Sequence, residues 1–227
     1  MILNKTPVSV VIRVKNEESF IGHAIQSCID HLYFPEIIVV DNNSTDESVN
    51  IARLFSQDKK LANRSNRFTD LSIINISDYS PGRALNLGIA SASNEKIIIL
   101  SSHAVINTFN LDAYCTELDH YPAVFGKQIP VYCGKKIKPT YLWSHFIDSP
   151  CENMYSELEQ RYFFHNAFSF LNRSFMLDNP FDEELVGKED RYWAQQVINK
   201  GNTIKYLPSL SAYHHYTPNG NTWKGIG

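Results

Sequence analysis

The chain has 227 residues, the length of one large domain. Its 43% hydrophobic and 20% charged residues are ordinary globular values and exclude a mainly disordered chain. With 21 Lys and Arg against 24 Asp and Glu the net charge is −3, which gives no sign of a nucleic-acid partner, since phosphate contacts leave a basic excess.

The first half alternates strand-like and helix-like segments. Val8 to Val14 is a short β-branched run, too short for a helix and too apolar for a loop. Phe20, Ile21, Ala24, Ile25, Cys28, Ile29 and Leu32 then recur on one face of an amphipathic helix. Glu36 to Val40 is the second strand and ends on Asp41. Ser44-Thr-Asp-Glu47 has the spacing of a capping box, which predicts a helix from there through about Phe55. Leu71 to Ile76 is a third strand, Pro81 to Ala92 a helix with Pro in its first turn, and Lys96 to Leu100 a fourth strand apolar enough for burial on both faces. The second half is less regular. Val124 to Pro130 and Asn166 to Leu171 read as strands around a loop over 134–150. Glu189 to Lys200 reads as a helix stopped by Gly201, and Thr203 to Leu207 and Ser211 to His215 as two closing strands. Strand–helix alternation with such runs predicts an α/β domain, its mostly parallel central sheet flanked by helices.

Cys28, Cys115, Cys133 and Cys151 form no C-x-x-C pair and match no zinc spacing. The start, Met1 to Pro7, lacks the apolar stretch of a signal peptide, and no run approaches the ~18 apolar residues of a membrane span. The reading is a soluble protein of a reducing compartment, so Asn42-Asn43-Ser44 carries no weight as a glycosylation triplet. No G-x-G-x-x-G follows the first strand and no G-x-x-x-x-G-K-[ST] occurs, which argues against a dinucleotide-dependent enzyme or a P-loop NTPase. H-E-x-x-H and G-x-S-x-G are also missing.

What remains is an ordered set of polar segments at the ends of the predicted strands, where doubly wound sheets bind ligands. They are Arg13-Val-Lys-Asn-Glu-Glu18, Val39-Val-Asp-Asn-Asn-Ser-Thr-Asp46, Ser80-Pro-Gly-Arg-Ala-Leu-Asn-Leu-Gly88 and Leu100-Ser-Ser-His103. Later come Gly187-Lys-Glu-Asp-Arg-Tyr-Trp-Ala194 and Tyr213-His-His-Tyr216. Taken in order, they resemble the inverting family-2 glycosyltransferases with the GT-A (Rossmann-like) fold, strongly over 7–106 and more weakly over 163–216.

The resemblance implies a single domain over 1–227, with a nucleotide-sugar half at about 1–106 and an acceptor half at about 107–227. The chain ends at Gly227 without a helix or cap, which leaves open one domain of a longer protein. Asp41 is implied to bind the donor's nucleotide base, where capping of the following turn is the alternative. Glu17 is implied to lie near the nucleoside, although a helix N-terminus also favours a Glu. Arg83 is implied to sit against the nucleotide rather than to serve as a surface charge. Ser101 and His103 stand where most relatives carry D-x-D, the carboxylates that grip a divalent cation. Neither suits magnesium, so the expectation is that no metal cofactor is required and that His103, with Arg13 and Lys15, meets the phosphate charge. A donor leaving as a nucleoside monophosphate would fit too. The alternative is Mn2+ or another divalent cation held by His103 and His214.

Glu189 suits a helix start by its charge. Asp190 is implied to be the general base that takes the proton of the acceptor hydroxyl during a single inverting displacement. His214 and His215 point to opposite faces of a strand, and His214 better matches a histidine that returns to the diphosphate or metal. The tail from Thr217 to Trp223 reads either as an acceptor-side lid or as a plain loop. The function implied is transfer of a sugar from a nucleotide-sugar donor to a glycan or lipid-linked saccharide acceptor in surface polysaccharide synthesis. The setting implied is cytoplasmic, with peripheral association at the inner membrane face; oligomeric state is left unknown. The loss of D-x-D keeps a rival open, an inactive nucleotide-sugar-binding scaffold. A sugar nucleotidyltransferase is a weaker rival, because no glycine-rich loop follows the first strand.

Overall fold

A computed structural model describes residues 6–57, 70–138 and 144–217. Four strands, β1 (Val8–Val14), β2 (Glu36–Asp41), β3 (Asp70–Asn75) and β4 (Lys96–Leu100), pair in parallel in the order β3-β2-β1-β4. The path then runs through β11 (Phe168–Asn172), β6 (Ala123–Tyr132) and β12 (Ile204–His215) to β5 (Ala104–Thr108). Here β11 is antiparallel to both β4 and β6, β12 is parallel to β6, and β5 is antiparallel to β12. The parallel half is therefore the half that carries the first four polar segments.

The alternation of side chains explains why these strands read as continuous apolar runs. Val8, Val10, Ile12 and Val14 of β1 enter one core layer with Ile37 and Val39 of β2 and Ile98 and Leu100 of β4. Val11, Ile38, Val40, Ile97 and Ile99 enter the other. Successive residues point to opposite faces, and both faces are covered. The first layer is closed by α1 (Ile21–His31) and α4 (Leu111–Leu118), with α2 (Ser48–Gln57) against α1. The second is closed by α3 (Pro81–Ser91), α5 (Arg173–Asp178) and α6 (Glu189–Asn199). Helix α3 lies hard on the sheet at Gly88, where a Cβ would come within 2.4 Å of Val11 Cγ1, so only glycine permits this approach.

Several local expectations are corrected. Ser44 and Glu47 do not form a capping box, because Ser44 Oγ accepts from Asn16 N and Glu47 N donates to Glu18; α2 starts at Ser48, whose amide is capped instead by Asp46 Oδ1 at 3.0 Å. The two closing strands are one strand, β12, with a register shift between Leu207 and Ser211. Pro208 lies in that shift and has no N–H to give a ladder. The loop over 134–150 contains a short strand β7 (Lys135–Lys136) paired with β6, and its residues 139–143 lie outside the described residues. Elements β5, α4 and α5 were not predicted. Nor were β8 (Cys151–Glu152) and the hairpin of β9 (Tyr155–Ser156) and β10 (Arg161–Tyr162). Of the tail, all beyond Thr217 lies outside the described residues.

Candidate functional site

Register brings the ends of the parallel strands level. Val14 pairs with Asp41 and Asp41 with Asn75, while Val11 pairs with Ile99 so that Ser101 emerges beside Arg13. Strand β1 lies between β2 and β4, at the point where the strand order reverses, so the crevice opens at its carboxyl end.

The loops after β1 and β2 form one unit. Amides of Asn16, Glu17 and Glu18 donate to Ser44 Oγ at 3.0 Å, Ser48 Oγ at 2.7 Å and Asp46 Oδ2 at 3.0 Å. In return, Thr45 N donates to Asn16 Oδ1 at 2.7 Å and Glu47 N to Glu18 Oε2 at 3.0 Å. Asn16 and Asn43 take left-handed backbone conformations, with φ of 52° and 51°, which Asn tolerates better than most residues. Asp41 is buried, and both its oxygens lie 3.2 Å from Ser44 N, so its carboxylate does cap the turn that follows β2. That contact leaves lone pairs for a further donor.

Arg83, at the start of α3, meets three carboxylates. Its Nε donates to Glu183 Oε2 at 3.0 Å, Nη1 pairs with Asp78, and Nη2 lies 3.8 Å from Glu184 Oε1. With Asn75, Ile76, Asn86 and Glu183 it lines an open cleft of about 520 Å³. Asp41 lies behind this cleft, its carbonyl accepting from Ile76 N at 2.9 Å. Arg83 thus lines the opening, whereas the buried Asp41 side chain does not and reaches its wall only through the backbone bond to Ile76.

A second group forms where the segments following β1 and β4 come against the end of β12. Glu17 is buried; its Oε1 accepts from Thr217 Oγ1 at 2.7 Å and lies 3.3 Å from His103 Nδ1. The His103 and His214 rings have centroids 4.8 Å apart, and His103 O accepts from His215 N at 3.0 Å. Burial, with the nearby His103, His165 and His215, drives the His214 pKa well below the usual histidine range, so its imidazole is neutral. Ser101 is partly buried, its carbonyl accepting from Ala104 N at 2.9 Å across the turn. Lys15 is exposed at the mouth.

The residues around Ser101 and His103 are a poor match for the divalent cation that the resemblance implies at this place. They offer a hydroxyl, two imidazoles and one carboxylate, Glu17, already engaged by Thr217. No three His, Cys, Asp or Glu among the described residues are arranged to hold a metal. This set does not fit a hard cation such as magnesium, which seeks oxygen ligands.

The third group carries two adjacent carboxylates. Lys188 takes a left-handed backbone at φ 60° and turns the chain into α6, so Glu189 and Asp190 enter at its first turn, both buried. Arg13 lies on the same face of β1 as Val11, the face α6 covers, and its Nη1 meets Glu189 Oε1 at 2.9 Å. Burial disfavours the Arg13 cation, but Glu189, then Tyr79 and Asp190, more than offset this and raise its pKa. Arg13 is therefore paired with an acid in the fold, where the sequence had suggested a cation available to phosphate. Asn166 Nδ2 also donates to Glu189 Oε1, at 3.3 Å. Asp190 is held by its neighbour: Arg191 Nη1 lies 2.7 Å from Oδ2, and Arg191 N donates to Oδ1 at 2.9 Å. Arg191, Glu159 and Asn166 had not been read as site residues, and Thr217 only as the start of the tail. Only Arg191 carried a signal, a cation directly after the candidate base; the others reach the site from distant parts of the chain.

A family model described as glycosyl transferase family 2 matches residues 9–180. The chain is 22% identical over 200 residues to the O-antigen chain rhamnosyltransferase WbaN of Salmonella anatum, covering 81% of this chain and 58% of that protein. Among solved structures it is similar to S. aureus TarS 1-349 in complex with UDP, with a TM-score of 0.68 and 22% identity over 94% of this chain and 61% of the other. It is likewise similar to the mannosyltransferase PcManGT from Pyrobaculum calidifontis in complex with GDP-Man and Mn2+, with a TM-score of 0.68 and 17% identity over 96% and 59%. The chain spans less than two thirds of the length of each of these three relatives. None of its helices, among the described residues, is long and apolar enough to cross a membrane.

Proposed function

The chain belongs to glycosyl transferase family 2, and on that premise we propose that it transfers a sugar, with inversion, from a nucleotide-sugar donor to a glycan or lipid-linked saccharide acceptor in surface polysaccharide synthesis. The name of the Salmonella relative supports the last element, and the nucleotides bound by the two structural neighbours support the donor class. The observation that carries the reading is Asp190, a single carboxylate fixed at the carboxyl edge of the sheet beside a second acid already neutralised by Arg13.

In the reaction, an acceptor hydroxyl gives its proton to Asp190 as its oxygen bonds to the anomeric carbon. The bond from that carbon to the phosphate oxygen breaks on the opposite face, and the nucleotide leaves with the electron pair. One displacement inverts the centre and needs one base. Asp41 and Arg83 serve the nucleotide and Glu17 the nucleoside side. His103 and Lys15 meet the phosphate charge, while Arg13 pairs with Glu189. Ser101 offers a hydroxyl to the same phosphates.

Release of nucleotide from a panel of UDP- and GDP-linked sugars, with acceptor oligosaccharides present and absent, tests the reading. Turnover persisting in excess EDTA is the expected result. His103→Ala should then slow release by ~10²-fold, the scale of a lost transition-state donor. Complete loss in EDTA with recovery in manganese would install a metal held by His103 and His214 instead. Binding of the nucleotides without release by the wild-type chain would favour the inactive scaffold, which the missing D-x-D supports.

Asp41→Ala is expected to weaken UDP or GDP and the matching whole donor by similar factors, on the order of 10- to 100-fold for a lost hydrogen bond to a charged group. Calorimetric titration reads this directly, and unchanged nucleotide affinity would remove Asp41 from the site.

A further inference from the structure

Arg191 is the least expected part of the site. Its guanidinium is nine-tenths buried yet has no role in the transfer described above. Nη1 lies 2.7 Å from Asp190 Oδ2, and Nε lies 3.5 Å from Glu159 Oε2, on the turn between β9 and β10. The guanidinium carbon sits 4.6 Å from the centroid of the Phe163 ring. Burial opposes the Arg191 charge, but Asp190, then Glu159 and Glu189, outweigh it and raise its pKa. The planar fork is thus held on one face by an aromatic ring and along its edge by two acids from different elements.

We propose that Arg191 is a positioning residue for Asp190, fixing the orientation of the carboxylate that accepts the acceptor proton. The proposal rests on the reading of Asp190 as the base. Three features favour positioning over a plain structural pair. Both oxygens of Asp190 bond to Arg191, one to its amide and one to its side chain, which sets the rotation of the carboxylate plane. The neighbouring Glu189 is engaged separately by Arg13 and Asn166, so the two acids do not share one cation. Each oxygen of Asp190 keeps a lone pair for an incoming hydroxyl. A lysine, as a point charge on a flexible stem, could neutralise Asp190 without setting that plane.

The test uses the full chain and the UDP- or GDP-linked sugar that the wild type turns over fastest. Removing Arg191 alone leaves Glu159 buried without its partner, so the main variant is R191Q combined with E159Q, which deletes the pair together. Its kcat is expected to fall ~10²-fold, the scale of a misplaced catalytic group, with donor KM within threefold. Adding D190N to that variant should lower kcat little below D190N alone, because Arg191 acts through Asp190. Losses that multiply, or a kcat that does not change, would overturn the proposal. If the double variant fails to fold, Arg191→Lys decides, with about a tenfold lower kcat expected and an unchanged kcat overturning it. Turnover that survives D190N, or no turnover by the wild type, overturns instead the reading on which this rests.

Discussion

Asp190→Asn is expected to lower turnover by ~10²–10⁴ while leaving UDP or GDP affinity within a few-fold. The substitution keeps the volume and the hydrogen bond from Arg191 N to the side-chain oxygen, but the amide cannot take a proton. Steady-state kinetics beside a binding titration separates the two quantities, and near-normal turnover would remove Asp190 from the mechanism. The adjacent Glu189 gives the contrast. It is not merely a charge at a helix terminus, because Arg13 and Asn166 both bond to it. Glu189→Gln should therefore act mainly on stability, at about 1–3 kcal/mol for a buried partner left unsatisfied, with a much smaller loss of rate.

Trp193→Ala is expected to have the largest effect on stability. The ring is 2% exposed, on the inner face of the helix that carries Asp190. Its centroid lies 5.1 Å from that of Phe164 and 5.4 Å from that of Phe181. Its Nε1 donates to Asn179 O at 2.8 Å. Truncation leaves a large cavity and an orphaned carbonyl, at a cost of about 3–5 kcal/mol. Set against a typical total of about 5–15 kcal/mol, that is a substantial share. For a chain of this size it corresponds to a fall in Tm of roughly 6–20 °C. Thermal unfolding reads it, and a fall of only 1–2 °C would show that this face of α6 is not packed as described.

The central strands of the parallel half were legible in the sequence because burial on both faces favours near-continuous apolar runs. Val8 to Val14, Glu36 to Asp41 and Lys96 to Leu100 all fold as the strands expected. Pro81 starts α3 as expected, and Ser80 caps it, its Oγ accepting from Arg83 N. Short amphipathic pieces were not legible. Ala104–Thr108 exposes one side at the sheet edge, so its pattern is too brief to separate from loop. Ser44 to Glu47 misled because its hydroxyl and carboxyl spacing suits a capping box, whereas the fold gives Ser44 Oγ to the Asn16 amide 28 residues away and leaves the local cap to Asp46, which also holds the distant Glu18 amide. The same limit applies within the site. Motif order put forward Arg13, Glu17 and Arg83 as candidates, but the partners they meet in the fold are long-range: Glu189 on Arg13, Thr217 on Glu17 and Glu183 on Arg83.

The cross-bonded loops after β1 and β2 bear on how such a domain can be recombined. Five backbone amides, those of Asn16, Glu17, Glu18, Thr45 and Glu47, donate across to the opposite loop or, for Glu17, to Ser48 at the start of α2. Grafting one loop from a relative would strand amides on both sides of the seam, each at about 1–3 kcal/mol where buried. Grafting the two together preserves every bond. The segments 15–18 and 44–48 are therefore a single heritable cassette split by a helix and a strand, and a crossover between them breaks what a crossover on either side leaves whole.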